Sequence, residues 1–118
     1  MKVILDEGVP EGLSAYLAGH DVHSVRSLGW KGTKNGRLIA LVESVQTDAF
    51  ITADKSIERQ QNFRGRPFAT LVLSTNSWPL IQEHAAQITS ALDDAEPGTV
   101  KHVECGRFTP SRFRNPQA

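Results

Sequence analysis

Two aspartates in this chain share a setting. Asp6 follows the apolar run Lys2-Val-Ile-Leu5, and Asp54 follows the β-forming run Asp48-Ala-Phe-Ile-Thr52. A carboxylate just past the end of a buried strand lies at the rim of a sheet, where open α/β folds bind ligands and metals. If the two strands run parallel, their carboxyl ends share one edge, and neighbouring strands lie only about 4.8 Å apart. Asp6 and Asp54 are then placed to hold one hard cation between them, directly or through water. Carboxylate and amide oxygens with retained waters suit Mg²⁺ or Mn²⁺. Such an ion brings an attacking water to a phosphodiester and offsets charge on the leaving oxygen. Asn35 opens the segment Gly36–Val45 and is expected at the same edge. Glu7 and Glu58 are the nearest further acids, and strand alternation turns Glu7 away from Asp6.

Beside the acids runs Arg59-Gln60-Gln61-Asn62, with Arg64 and Arg66 after it. Planar amides and guanidinium groups suit phosphate and base-edge contacts on single-stranded RNA. Lys31 and Lys34, in the loop before Asn35, are further candidates for phosphate. Each of these residues also has a plainer role. Asp54 and Asn35 are good helix N-caps, Asp6-Glu7 is a natural solvated strand end, and Thr52 is an ordinary strand residue. Trp30 and Trp78 are expected to pack rather than stack on bases. His20, His23, His84 and His102 lack metal-ligand spacing; His84 falls on the apolar face of a helix and reads as a satisfied core residue. Cys105 has no base partner and no expected nucleophilic role.

The elements that must position these residues alternate. Lys2–Leu5 reads as a strand buried on both faces. Gly8 breaks it, Pro10 suits the first turn of a helix carrying Leu13, Tyr16 and Leu17, and Gly19 stops that helix. Asp21–Val25 reads as a second strand and Ser27–Lys34 as a loop. Asn35 is expected to cap a well-buried helix over 36–45. The third strand, Asp48–Thr52, leads into a helical or turn segment, Lys55 to Asn62, capped by Asp54 and anchored by Ile57. Phe68–Leu73 is a fourth strand. A helix follows from about Trp78 to Leu92, and Thr99–Glu104 is a charged, polar edge strand. Strands alternating with helices imply parallel pairing and right-handed crossovers. The expected fold is a three-layer α/β/α sandwich around a mainly parallel sheet, one domain over 1–105 with an extended tail over 106–118.

Composition bounds the function. The chain has 118 residues, 39% hydrophobic and 22% charged, which is enough to bury one core without staples. Its formal net charge is zero, so any nucleic-acid surface must be local. A single cysteine excludes an internal disulfide and fits a reducing compartment. Asp6 and Glu7 stand where a signal peptide needs an apolar core, and no apolar run approaches membrane-spanning length, so a cytoplasmic location is expected.

The order and spacing of VILDEGVPEGL, the GW-x-G loop, NGRLIALVE, DAFITADKSI and ERQQN resemble the PIN-like domains of the DUF5615 type, over roughly residues 1 to 92. The resemblance implies a compact, trimmed PIN domain, a fold of metal-dependent ribonucleases, many of them toxins of toxin–antitoxin operons. In that comparison Asp6 matches the first PIN acid. Asp54 matches the last, in a Thr-x-Asp element formed by Thr52-Ala53-Asp54. Asn35 falls where PIN domains usually place another aspartate, and the glutamate of the long helical insertion has no counterpart. The Gln60-Gln61-Asn62 run matches a subgroup that also carries Asn-Gly at the position of the missing acid.

Three readings follow. In the first, the chain is a Mg²⁺- or Mn²⁺-dependent ribonuclease and toxin. Asp6 and Asp54 hold the metal, Asn35 orients metal or water, and Arg59, Gln60, Gln61, Asn62 and Lys34 hold RNA. In the second, it is a non-catalytic module of the same fold that binds RNA or a partner antitoxin; a homodimer is compatible with either. The third, a receiver-like phosphoacceptor, requires a lysine after strand five, where this chain has Cys105-Gly106-Arg107.

Overall fold

A computed structural model describes residues 1–106; the expected tail from 107 onward lies outside them. Five strands form one sheet in the order β2-β1-β3-β4-β5: β1 (Lys2–Leu5), β2 (Asp21–Ser24), β3 (Ala49–Thr52), β4 (Ala69–Leu73) and β5 (Val100–Val103). Every pairing is parallel. The architecture is the expected three-layer α/β/α sandwich, and β5 is an edge strand, as its polar alternation suggests.

Alternation along the central strands divides the core. Val3, Leu5, Ala49, Ile51, Leu71 and Leu73 face a layer built from the 3-10 segment Glu11–Tyr16 and, after β4, α3 (Trp78–Glu83) and α4 (Ala85–Asp93). Ile4, Phe50 and Val72 face the other way, toward α1 (Asn35–Ser44) and α2 (Ile57–Gln60). The strands read as continuous apolar runs because β1, β3 and β4 are covered on both faces. Edge-to-face contacts of Phe50 and Phe63 with Phe68 fill the α1/α2 side.

The helices depart from expectation in four places. The segment after Pro10 is a 3-10 helix rather than an α-helix. Its Gly12 lies under Trp78, where a Cβ would come within 2.9 Å of the indole ring. The expected helix from Trp78 to Leu92 is two helices with a break at His84, whose Nδ1 lies 2.8 Å from the Leu80 carbonyl oxygen. α1 is less covered than its apolar content implies: Leu38, Ile39 and Val42 form one buried stripe while Leu41 is only half-buried. Asn35 is not the cap of α1. Lys34 holds the N-cap position, without a side-chain cap hydrogen bond, and Asn35 is the first helical residue. Its amide is thereby freed for the contacts described below.

Trp30 and Trp78 are both half-buried against the core, as packing residues. Cys105 is buried in the α3/α4-side core, where desolvation pushes its thiol pKa up, the opposite of an activated nucleophile.

Candidate functional site

In the doubly wound order 2-1-3-4-5 the chain leaves β1 toward one face and β3 toward the other, so a crevice opens outside their carboxyl ends. Asp6 and Asp54 occupy that crevice. Their strands are direct neighbours, with Leu5 paired to Ile51, and the backbone N–H of Asp6 donates to the Ile51 carbonyl at 2.8 Å.

Thr52 joins the two acids. Its buried hydroxyl donates to Oδ2 of Asp6 at 2.7 Å and accepts from the backbone N–H of Asp54 at 3.0 Å. Oδ1 of Asp6 accepts from the N–H of Glu7 at 2.8 Å. Glu7 itself turns away, as alternation requires, and its Oε1 receives the Gly32 N–H at 2.8 Å, which ties down the GW-x-G loop.

Asp54 does not cap α2 directly. Its Oδ1 accepts from the backbone N–H of Ser56 at 3.0 Å and from the Ser56 hydroxyl at 2.6 Å, a turn one step ahead of a helix that is only one turn long. Oδ2 of Asp54 accepts from Nδ2 of Asn35 at 3.2 Å, and the same Nδ2 donates to Oε1 of Gln60 at 3.0 Å. Thus Asp6, Thr52, Asp54, Asn35 and Gln60 form one hydrogen-bonded chain along the rim. With both Asn35 N–H groups directed at acceptors, its carbonyl oxygen faces away from them.

The environments push the two carboxyl groups apart. Burial raises the Asp6 pKa above its ordinary 3.8; bonds from Thr52 and the Glu7 N–H oppose this, and the charges of Asp54 and Glu7 add to the rise. Asp54 is held below 3.8, first by the Ser56 hydroxyl, with further help from the Ser56 N–H and Asn35 outweighing burial. Asp54 is therefore the firm anion. Asp6 ionises at a cost that a cation between the two acids would relieve.

The donor set suits a hard ion that keeps part of its water. Each carboxylate has about four lone-pair sites; Asp6 uses two and Asp54 three in the hydrogen bonds above. Free lone pairs remain on both, which matches Mg²⁺ held by one or two carboxylates and completed by substrate phosphate and water. No group of three or more His, Cys, Asp or Glu able to hold a metal occurs among the described residues. Glu58 is directed elsewhere: its Oε1 lies 2.7 Å from Nε2 of His102 on β5.

The polar run lies beside the rim with unequal freedom. Gln60 is engaged with Asn35, and Oδ1 of Asn62 accepts from the Arg64 N–H at 3.0 Å. Gln61 lies against α1, its Nε2 3.8 Å from where a Cβ of Gly36 would stand. The pairing of Asn35-Gly36 with Gln60-Gln61 thus has a physical basis, one amide bonded and the other laid on the bare glycine. Arg66 is bound to Glu43 at 3.0 Å. Arg59, Arg64 and Lys34 are exposed and form no ion pair among the described residues. Sequence reasoning missed Ser56 as a partner of Asp54, although an Asp with Ser two residues on is a known turn signature. It also passed over the Glu58–His102 pair, which no local spacing announces.

Comparison of the chain with protein-family models, curated proteins and solved structures finds no match. Among the described residues no helix is long and apolar enough to cross a membrane.

Proposed function

We propose that the protein is a Mg²⁺- or Mn²⁺-dependent ribonuclease of the PIN-like kind, acting at the crevice between β1 and β3. The observation that carries this reading is the linkage of Asp6 to Asp54 through Thr52 at adjacent strand ends. In this reading Asp6 and Asp54 would hold the cation, and Asn35, through its hydrogen bond to Oδ2 of Asp54, would orient the cation or its water. A cation held there would supply an activated water for a phosphodiester and offset charge on the leaving oxygen. Gln60 and Thr52 position Asn35 and Asp6, and Arg59, Gln61, Asn62 and Lys34 bind the RNA. Ser56 and Asn35 keep Asp54 ionised.

The test is cleavage of single-stranded RNA with Mg²⁺ or Mn²⁺. The reading requires activity that Asp6→Asn and Asp54→Asn each abolish; undiminished cleavage by either variant overturns it. The small acid set favours a second reading, a non-catalytic module of this fold that binds RNA or an antitoxin partner. That module shows no cleavage and binding that persists in EDTA. The toxin role adds a genetic expectation: a small DNA-binding reading frame next to this gene, whose product suppresses the activity.

A further inference from the structure

Among the described residues β5 pairs with one strand only, β4. On the α1/α2 side of the sheet, α2 ends after one turn, and among the described residues no further helix follows it before β4. Val100 and His102, two residues apart on β5, share this face. Val100 packs against the α1/α2 core, and His102 reaches Glu58 on α2.

Glu58 lines one cavity and His102 another. One, of about 590 Å³, is lined by Glu58, Arg59, Gln61, Arg64, Gly98 and Val100 among others. The second, of about 260 Å³, lies at the carboxyl ends of β4 and β5 and includes Lys55, Ser74, His102 and Glu104. Taken together as one trough alongside β5, the cavities extend from Lys55, next in sequence to Asp54, to Gly98, and the 2.7 Å Glu58–His102 bond joins a residue of each.

The lining carries three cations, Lys55, Arg59 and Arg64, against two acids, Glu58 and Glu104, in a chain whose formal net charge is zero. Lys55, Arg59 and Arg64 are exposed and make no ion pair among the described residues. The two acids are both hydrogen-bonded: Oε1 of Glu58 lies 2.7 Å from Nε2 of His102, and Glu104 accepts from the Gly106 N–H. Amides from Gln60, Gln61 and Asn62 lie along the same wall. A spaced row of cations with planar hydrogen-bonding groups fits a flexible polyanion that exposes base edges.

We propose that this trough carries the stretch of single-stranded polynucleotide on one side of the phosphodiester held at the Asp6–Asp54 rim, with its phosphates on Lys55, Arg59 and Arg64. The assignment rests on the nuclease reading for what happens at the rim, but the binding it describes needs no metal. From Gly98 to Glu104 the strand path is roughly 20 Å, which at about 3.4 Å per stacked phosphate holds at most about six nucleotides.

The experiment is fluorescence anisotropy of a labelled single-stranded RNA of about eight nucleotides, with the full chain in EDTA, across a salt series. Arg59→Glu combined with Arg64→Glu should weaken binding by roughly tenfold or more. Arg59→Gln combined with Arg64→Gln, which disturbs the fold less, should make the slope of log K against log salt shallower by about 1.4. Glu58→Gln removes a negative charge from the trough and should tighten binding. Asp6→Asn and Asp54→Asn should bind at least as well as the wild type. A protein that gives these results yet never cleaves with Mg²⁺ keeps the trough and loses the nuclease reading. Absence of binding by the wild type overturns the trough. So does a wild-type salt slope in the double glutamine variant, or loss of binding only when the aspartates are changed.

Discussion

The hydroxyl of Thr52 lies 2.7 Å from Oδ2 of Asp6 and is sealed from solvent, so the acid at the end of β1 is held by a residue of β3. The same oxygen accepts the Asp54 N–H. Thr52→Val keeps the shape and removes the link, which strips a donor from a half-buried carboxylate and an acceptor from a backbone N–H. The expected cost is about 1–3 kcal/mol, measured by urea denaturation in EDTA. Thr52→Ser keeps the hydroxyl and should cost about 1 kcal/mol for the missing methyl. If valine is no more costly than serine, the hydroxyl does not support the rim.

The two acids should respond oppositely to pH. The folded-state pKa of Asp6 is raised, so its ionisation opposes folding: stability contributed by the protonated form is lost as pH rises from about 3.8 through the folded value. Asp54 is lowered, so its contribution is present above 3.8 and lost as pH falls through its folded value. In EDTA near neutral pH, Asp6→Asn should therefore raise the melting temperature and Asp54→Asn should lower it. Both differences should shrink in acid. Equal effects of one sign for both variants would contradict the assigned environments.

Asn35→Asp tests the amide at the third corner. It removes donors to Asp54 at 3.2 Å and Gln60 at 3.0 Å and sets a like charge beside Asp54. Without metal the variant should lose about 1–3 kcal/mol. With Mg²⁺ it should recover and show a larger thermal shift than the wild type, because a third carboxylate joins the donor set. Melting curves with and without Mg²⁺ read both effects.

Gly12→Ala probes the scaffold away from the rim. The new Cβ would meet the Trp78 ring at 2.9 Å, and a ring packed against the core does not yield freely. Overpacking should cost about 1–3 kcal/mol, with RNA binding unchanged at temperatures where the variant is folded.

The sheet was legible because parallel strands buried on both faces announce themselves as unbroken apolar runs, as in Lys2–Leu5 and Phe68–Leu73. Asp6 and Asp54 were legible as rim residues for the same reason, since a strand end fixes where the next side chain sits. Contacts made in three dimensions were not. Asn35 looks like a cap in sequence because Asn-Gly favours that role; only the fold brings Gln60 and Asp54 within reach of its amide. Glu11–Tyr16 is a 3-10 helix whose Gly12 lies against Trp78, a contact local spacing does not announce, and the break at His84 divides a periodicity that runs unbroken through it. Thr52 was readable as a strand residue, but its second role depends on which strand lies beside it.

The central claim is that Asp6 and Asp54 hold one divalent cation together. Isothermal titration of the metal-free protein with Mg²⁺ near neutral pH tests it most directly. The account predicts a single site whose affinity falls by about tenfold or more in both Asp6→Asn and Asp54→Asn, while Glu58→Gln titrates as the wild type. No measurable Mg²⁺ binding by the wild type, or unchanged affinity in either aspartate variant, would contradict it.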